Sequence, residues 1–198
     1  QQAPAYAAGE LPTDQQMREN ALQPRGPPAL PEPGHEPLPA ARRIVFNGVD
    51  FPSSALRPNE PVEPEIIKAI DSAATTLRIA MYEFNQQGIW DALQRAKNRK
   101  VHIEVVLDRS HVYTTGYEDD GVTPRKPKQM IVDMIKDGGF NVLLLRGRNG
   151  GIMHSKFIVV DDGFVEFGSY NYTPQSEADH YENVFFRTEA GRVKGYIR

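Results

Sequence analysis

Gly150-Gly151-Ile152-Met153-His154-Ser155-Lys156 runs into an apolar stretch, Phe157-Ile158-Val159-Val160, then Asp161-Asp162-Gly163, then Phe164-Val165-Glu166-Phe167-Gly168-Ser169-Tyr170-Asn171-Tyr172-Thr173. Two β-rich runs around an Asp-Gly pair predict a hairpin with its turn at Asp162-Gly163. Side chains alternate along a strand, so His154 and Lys156, two apart at its expected start, face the same way, with Ile158 next on that face. Antiparallel return then brings Ser169 and Asn171 back towards His154 and Lys156. A histidine, a lysine, a hydroxyl and an amide are expected at one spot.

That set suits a phosphate. Lysine supplies a cation, Ser169 and Asn171 supply neutral donors, and an imidazole serves as nucleophile or as acid and base near neutral pH. Glu182 stands at the start of the last predicted strand. A carboxylate there would accept a hydrogen bond from one imidazole nitrogen and leave the other able to attack. Each residue alone reads equally well as ordinary packing, surface or turn chemistry, and Asp161-Asp162-Gly163 as a turn and nothing more. The combined spacing lifts the reading above those alternatives.

Outward from this stretch, apolar periodicity alternates between helix and strand. Pro64–Thr75 carries Ile66, Ile67, Ile70 and Ala74 at helical spacing, and Gly88–Lys100 carries Ile89, Trp90, Leu93 and Ala96. Strands are expected at Arg43–Asn47, Leu77–Phe84, Val101–Leu107, Asn141–Leu145, Lys156–Val160, Phe164–Gly168 and Asn183–Arg187. A further helix spans Lys128–Lys136 and stops at Gly138-Gly139. The order implies an α/β fold, a mixed β-sheet flanked by helices, with parallel β-α-β units first and a hairpin later.

Nine of the 16 prolines of the 198-residue chain fall in residues 1–40. Such a stretch buries too little apolar surface to offset its ordering entropy, so 1–40 reads as an extended or disordered tail and 41–198 as the folded domain. The tail reads as a linker or as a proline-rich ligand for an aromatic groove. The net charge is -3, and residues 41–198 carry 21 basic and 21 acidic residues. Neutrality argues against salt-driven coating of nucleic acid, although basic groups converging on one cleft would still bind an anion. Cysteine is absent, which excludes disulfides, thiolate metal sites and a cysteine nucleophile. No apolar run approaches the roughly 20 residues of a membrane span, so stable membrane insertion is not expected. The first residue is Gln1. Either a leader has been removed or the sequence starts inside a longer chain; with the proline-rich start, the first reading favours a periplasmic or secreted protein.

His154-Ser155-Lys156, four residues and Asp161 resemble the H-x-K-x4-D signature of the phospholipase D superfamily. Gly168-Ser169-Tyr170-Asn171 resembles the element that follows it, and Glu182-Asn183 the acidic position beyond. The resemblance covers about 44–198 and is most like the small bacterial nuclease-type members. It implies a phospholipase D-like α-β-α sandwich containing one half-unit of the catalytic machinery. His154 would be the nucleophile that forms a phosphohistidine, or the acid that protonates the leaving oxygen. Lys156, Ser169 and Asn171 would bind substrate and hold the phosphoryl oxygens, and Glu182 would orient His154. Asp161, part of the signature, would support the strand and a neighbouring charge. The family mechanism needs no metal and no cofactor, and the sequence contains no H-E-x-x-H.

Two departures follow from the resemblance. Family catalysis uses two motifs, and this chain has one. A second motif would come from a homodimer partner or from a second half beyond Arg198, and Thr188–Arg198 reads as the start of a further element. His180 stands where many members resemble Asn, adding a titrating group. The leading expectation is a metal-independent phosphodiesterase of the nuclease-like kind, acting on nucleic acid. Arg109, His111, Tyr113, Tyr117, Arg125, Lys126 and Lys128 interleave bases with aromatics in one loop, as a single-stranded path would, although Glu118, Asp119 and Asp120 suit a solvated loop equally. A phospholipase D acting on phosphatidyl lipids and a catalytically silent binding module are the alternatives.

Overall fold

The computed structural model describes residues 42–112 and 129–197. The tail expected at 1–40, and the stretch of the 109–128 loop from Tyr113 to Lys128, lie outside the described residues.

Nine strands are described: β1 (Arg43–Phe46), β2 (Val49–Pro52), β3 (Ser54–Leu56), β4 (Thr76–Met81), β5 (His102–Asp108), β6 (Asn141–Leu145), β7 (Lys156–Val160), β8 (Phe164–Gly168) and β9 (Asn183–Arg187). The helices are α1 (Glu63–Ser72), α2 (Gln87–Asn98), α3 (Arg109–Val112), α4 (Gln129–Lys136), α5 (Pro174–Ala178) and α6 (Ala190–Tyr196). Seven strands form one mixed sheet in the order β3-β9-β8-β7-β4-β5-β6. β4, β5 and β6 are parallel, while β7 runs antiparallel to β4, and β8 and β9 continue antiparallel. Parallel units first and a hairpin later is the predicted order.

Sequence pattern explains the layers. Pro64 in the first turn of α1 needs no N–H partner, and Glu63 and Glu65 suit the positive end of the helix. Ile66, Ala69 and Ile70 of α1, and Ile89, Ala92, Leu93 and Ala96 of α2, are buried. They belong to one core with Leu77, Ile79 and Met81 of β4 and Ile103, Val105 and Leu107 of β5. On the other alternation, Val159 of β7 and Val165 of β8 pack with Val193 of α6, flanked by Phe157, Phe167 and Tyr196. Helices therefore cover both faces of the sheet.

The structure corrects two turns. Arg43–Asn47, expected as a lone strand, is the first arm of a β1–β2 hairpin turning at Asn47 and Gly48, both at positive φ. Asn-Gly is the standard signal for this turn. In the β7–β8 hairpin, Gly163 N–H donates to Val160 O at 3.0 Å, and the residues at positive φ are Asp161 and Asp162. The turn is therefore centred one residue earlier than predicted. Gly163 is closely packed as well, since a Cβ there would stand 2.9 Å from the Phe46 ring, which would have to shift.

Asp161 clasps this hairpin to the start of β4. Its carboxylate accepts from the backbone N–H of Ala74, Thr75 and Thr76 at 2.7–2.8 Å. It also accepts from the Thr75 hydroxyl and the Asn47 amide, each at 2.8 Å. Partial burial opposes ionisation, but these N–H groups outweigh it and bring the carboxyl down to about 2. A folded-state value below the unfolded one gives stability that is present above pH 4 and lost as pH falls through about 2. Because the group is partly solvated, about 1 kcal/mol is expected. Asp161→Asn should lower the urea-unfolding free energy by about that amount at pH 7, with the difference closing near pH 2. Equal stability at pH 7 would remove the clasp.

Candidate active site

The carboxyl ends of β4 and β5, the start of β7, the end of β8 and the start of β9 meet at one end of the sheet. The register pairs Met81 with Lys156, so the residues just past β4 stand beside the motif. β7 begins at Lys156, as its expected span Lys156–Val160 has it, and His154 precedes the strand on an exposed segment.

Contacts from other elements hold that segment. Met153 N–H donates to Asp108 Oδ2 at 2.7 Å. Asp108 is fully buried at the end of β5, and its Oδ1 accepts from Ser110 N–H at 2.9 Å and from the Ser110 hydroxyl. Burial works against ionisation of Asp108, yet these donors leave its carboxyl below the ordinary value. The His154 ring meets the Tyr82 ring edge-on, 4.6 Å between centroids. Tyr82 also contacts His111 at 4.1 Å, and Lys156 Nζ lies 5.0 Å from its centroid. The Lys156 ammonium donates to His154 O at 3.1 Å. Lys156 is largely buried, and desolvation lowers its pKa while Glu182 pulls it back up.

Across the hairpin, Gly168 follows Phe167, which pairs with Phe157. A Cβ at Gly168 would run into the Asn183 carbonyl, so the approach of β9 demands glycine here. This approach sets Ser169 against Glu182 and Asn183. The Ser169 hydroxyl donates to Glu182 Oε2, Asn183 N–H donates to Ser169 Oγ at 3.0 Å, and Ser169 N–H donates to Asn183 O at 3.0 Å. Glu182 Oε1 lies 3.7 Å from His180 Nδ1. Asn171 Oδ1 is buried without a hydrogen-bond partner among the described residues.

His154, Lys156, Ser169, Asn171 and Glu182 thus gather at one end of the sheet. Asp161 does not. It lies past the far end of β7, five residues beyond Lys156 and roughly 16 Å away at strand rise. The Glu182 carboxylate, expected against His154, meets Ser169 and His180, and the ring packed on His154 is that of Tyr82. Sequence reasoning missed Tyr82 and the grip of Asp108. The available signal was position, since residues just past the carboxyl ends of parallel strands are where such sheets bind ligands. Among the described residues, no group of three or more His, Asp or Glu is arranged to hold a metal ion.

The family model described as "Cardiolipin synthase, PLD-like domain" matches residues 66–197, from within α1 to the end of the described chain. The chain belongs to the phospholipase D superfamily. Among phospholipase D-like relatives, mouse mitochondrial cardiolipin hydrolase is 22% identical over 132 residues, covering 67% of this chain and 53% of that protein. The phospholipase D of Rickettsia prowazekii is 25% identical over 136 residues, covering 67% and 58%. The chain therefore spans a little over half the length of these curated relatives. Nuc from Salmonella typhimurium, a phospholipase D family member of known structure, is 29% identical with a TM-score of 0.56, covering 73% of this chain and 87% of Nuc. NucT from Helicobacter pylori, at 23% identity and a TM-score of 0.59 over 73% and 89%, shares the fold. The mixed sheet flanked by helices is the phospholipase D-like fold.

Proposed function

We propose that this phospholipase D-like chain is a nuclease-like phosphodiester hydrolase that works through a phosphohistidine at His154. The supporting observation is the convergence of an exposed imidazole, a largely buried ammonium and the Ser169–Glu182 pair at one sheet end. In this reading His154 attacks phosphorus, and Lys156, Ser169 and Asn171 hold the phosphoryl oxygens as charge builds on them. The leaving oxygen takes its proton from a second imidazole, contributed by a second copy or by a second half of a longer protein. Water then attacks the phosphohistidine, gives its proton to that imidazole and releases His154. Each step is metal-independent. Glu182 anchors the Ser169 hydroxyl, and Asp161 acts on the fold through its clasp. Similarity to Nuc over most of its length supports the nuclease side.

A second reading, a phospholipase D acting on phosphatidyl lipids, draws on the cardiolipin hydrolase and phospholipase D relatives. It also draws on apolar side chains exposed around the β6 edge, Leu143, Leu145 and Ile152. Single-stranded DNA, RNA and phosphatidylcholine vesicles, each tested with EDTA and with magnesium, separate the readings. The expected result is nucleic acid cleavage undiminished by EDTA. Cleavage of lipid alone overturns the nuclease assignment. Activity that EDTA abolishes and magnesium restores overturns metal independence, and no turnover on any substrate leaves the silent module.

A further inference from the structure

A cavity of about 430 Å³ opens beside His154 and Lys156, and its two sides differ in chemistry. One side is formed by the segment His154–Lys156, with the exposed His154 on it and the largely buried Lys156 at its end. The other is aromatic, lined by Phe157, Phe167 and Tyr196, with Gly168 at its edge. Phe157 and Phe167 are direct cross-strand partners in the β7–β8 register, so their rings emerge on one face of the sheet. Tyr196 of α6 packs against both, edge-on at 4.9 Å to Phe157 and tilted at 5.5 Å to Phe167. All three rings are only half-buried. A second cavity, of about 600 Å³, lies at the end of α2 and α4, where Asp137 takes up the Lys97 ammonium. It contains none of the motif residues.

A ligand that fills the cavity beside His154 must present an anion at one end and a flat apolar surface a short distance away. A nucleotide is built that way, with its phosphodiester and its base joined through one sugar. We infer that this cavity is a base subsite, in which Phe157, Phe167 and Tyr196 stack the nucleobase next to the phosphodiester held at His154 and Lys156. The inference rests on the nuclease-like reading above and specifies how that site would hold its substrate. Two features fix the class of ligand. The volume is at the small end for ligand sites and suits one ring system, whereas a diacyl lipid brings two long chains. The aromatic wall has a single side-chain polar group, the Tyr196 hydroxyl, so it offers π-faces to any base and little to read base edges. The subsite is therefore sequence-tolerant.

The test is a binding comparison that needs no turnover. Adenosine 5′-monophosphate and ribose 5-phosphate are titrated by calorimetry into the full chain in EDTA. Base stacking should make the nucleotide bind about ten-fold tighter than the sugar phosphate. Tyr196→Ala should abolish that preference while leaving ribose 5-phosphate affinity unchanged, and Tyr196→Phe should retain it. If Tyr196→Ala fails to fold, Phe167→Leu keeps an apolar side chain in the sheet, removes a ring face and carries the same expectation. Equal affinities in the unaltered protein overturn the subsite, as does a preference that survives ring removal. Cleavage of single-stranded DNA together with equal affinities would leave the nuclease reading standing and remove only the subsite. Equal affinities together with phosphatidyl vesicle hydrolysis that Tyr196→Ala slows would assign the cavity to an acyl chain and overturn the inference.

Discussion

His154→Ala is expected to reduce phosphodiester turnover by at least about four orders of magnitude, the scale seen when a covalent nucleophile is removed. Stability should change by less than about 1 kcal/mol, because the side chain is exposed and its described ring contact is with Tyr82. The Asp108–Met153 bond uses backbone N–H and survives the substitution, so the segment should keep its place and the variant should still bind inorganic phosphate through Lys156. A variant that retains more than a few per cent of turnover on every phosphodiester defeats the assignment. Mixing altered and unaltered chains tests the second imidazole. If two copies share one centre and exchange freely, activity should follow the square of the unaltered fraction, because heterodimers hold one imidazole too few. An active monomer would move the proton-donor role to a histidine of the same chain. His111, against Tyr82, and His180, beside Glu182, are the described candidates.

The largest effect on stability is expected at Glu166, which none of the proposed steps uses. Its side chain is buried in the sheet opposite Ile158 and accepts a hydrogen bond from the Tyr172 hydroxyl at 3.1 Å. Desolvation outweighs that bond and raises the carboxyl to about 8. A folded-state value raised above the unfolded one gives stability that is fully present below about pH 4.5. It is lost as pH rises through about 8, at up to roughly 1.4 kcal/mol per unit. Glu166→Gln removes the titration and keeps an acceptor for Tyr172, at the cost of burying one more N–H. The variant should be about 2 kcal/mol more stable than the unaltered protein at pH 8 and no more stable at pH 5. Urea unfolding at the two pH values measures this. An unaltered protein whose stability is level from pH 5 to 8 would show that Glu166 is not held neutral.

The fold was legible wherever one interaction dominated. Ile66 and Ile70, or Ile89 and Leu93, have no use but burial, and their spacing located both helices to within three residues at either end. The hairpin was equally plain, but its turn was misplaced by one residue. The Asp162-Gly163 pair was taken as the centre of the turn, whereas Asp161 and Asp162 hold the positive φ and Gly163 packs close to Phe46. Alternation brought Ser169 and Asn171 to the same end as Lys156, and the strand was expected from Lys156 as observed, but the sequence could not show what fixes that start. That boundary depends on Asp108, 45 residues away, holding Met153. Tyr82 was hidden for a related reason. It ends an apolar run and looks like more strand, and only the β4–β7 register sets it against His154. The two roles within the signature, chemistry at His154 and Lys156 and architecture at Asp161, separate only once the length of β7 is known.

The β4–β7 pairing is the line where the parallel half of the sheet joins the antiparallel half. β3 reaches β9 from the far end of the domain, but β4, β5 and β6 on one side and β7, β8 and β9 on the other are each assembled from neighbouring segments, whereas the β4–β7 line joins residues farther apart in the chain, and its closure carries a larger entropic cost than theirs. Tyr82 and Asp108 come from one half, and His154, Lys156, Ser169 and Glu182 from the other, so the Tyr82–His154 and Asp108–Met153 contacts both cross it. In kinetic terms, the centre exists only once these two halves have closed on each other. During refolding, recovery of phosphate binding should therefore lag behind recovery of secondary structure, because a chain whose two halves have formed separately contains every motif residue and still has no site.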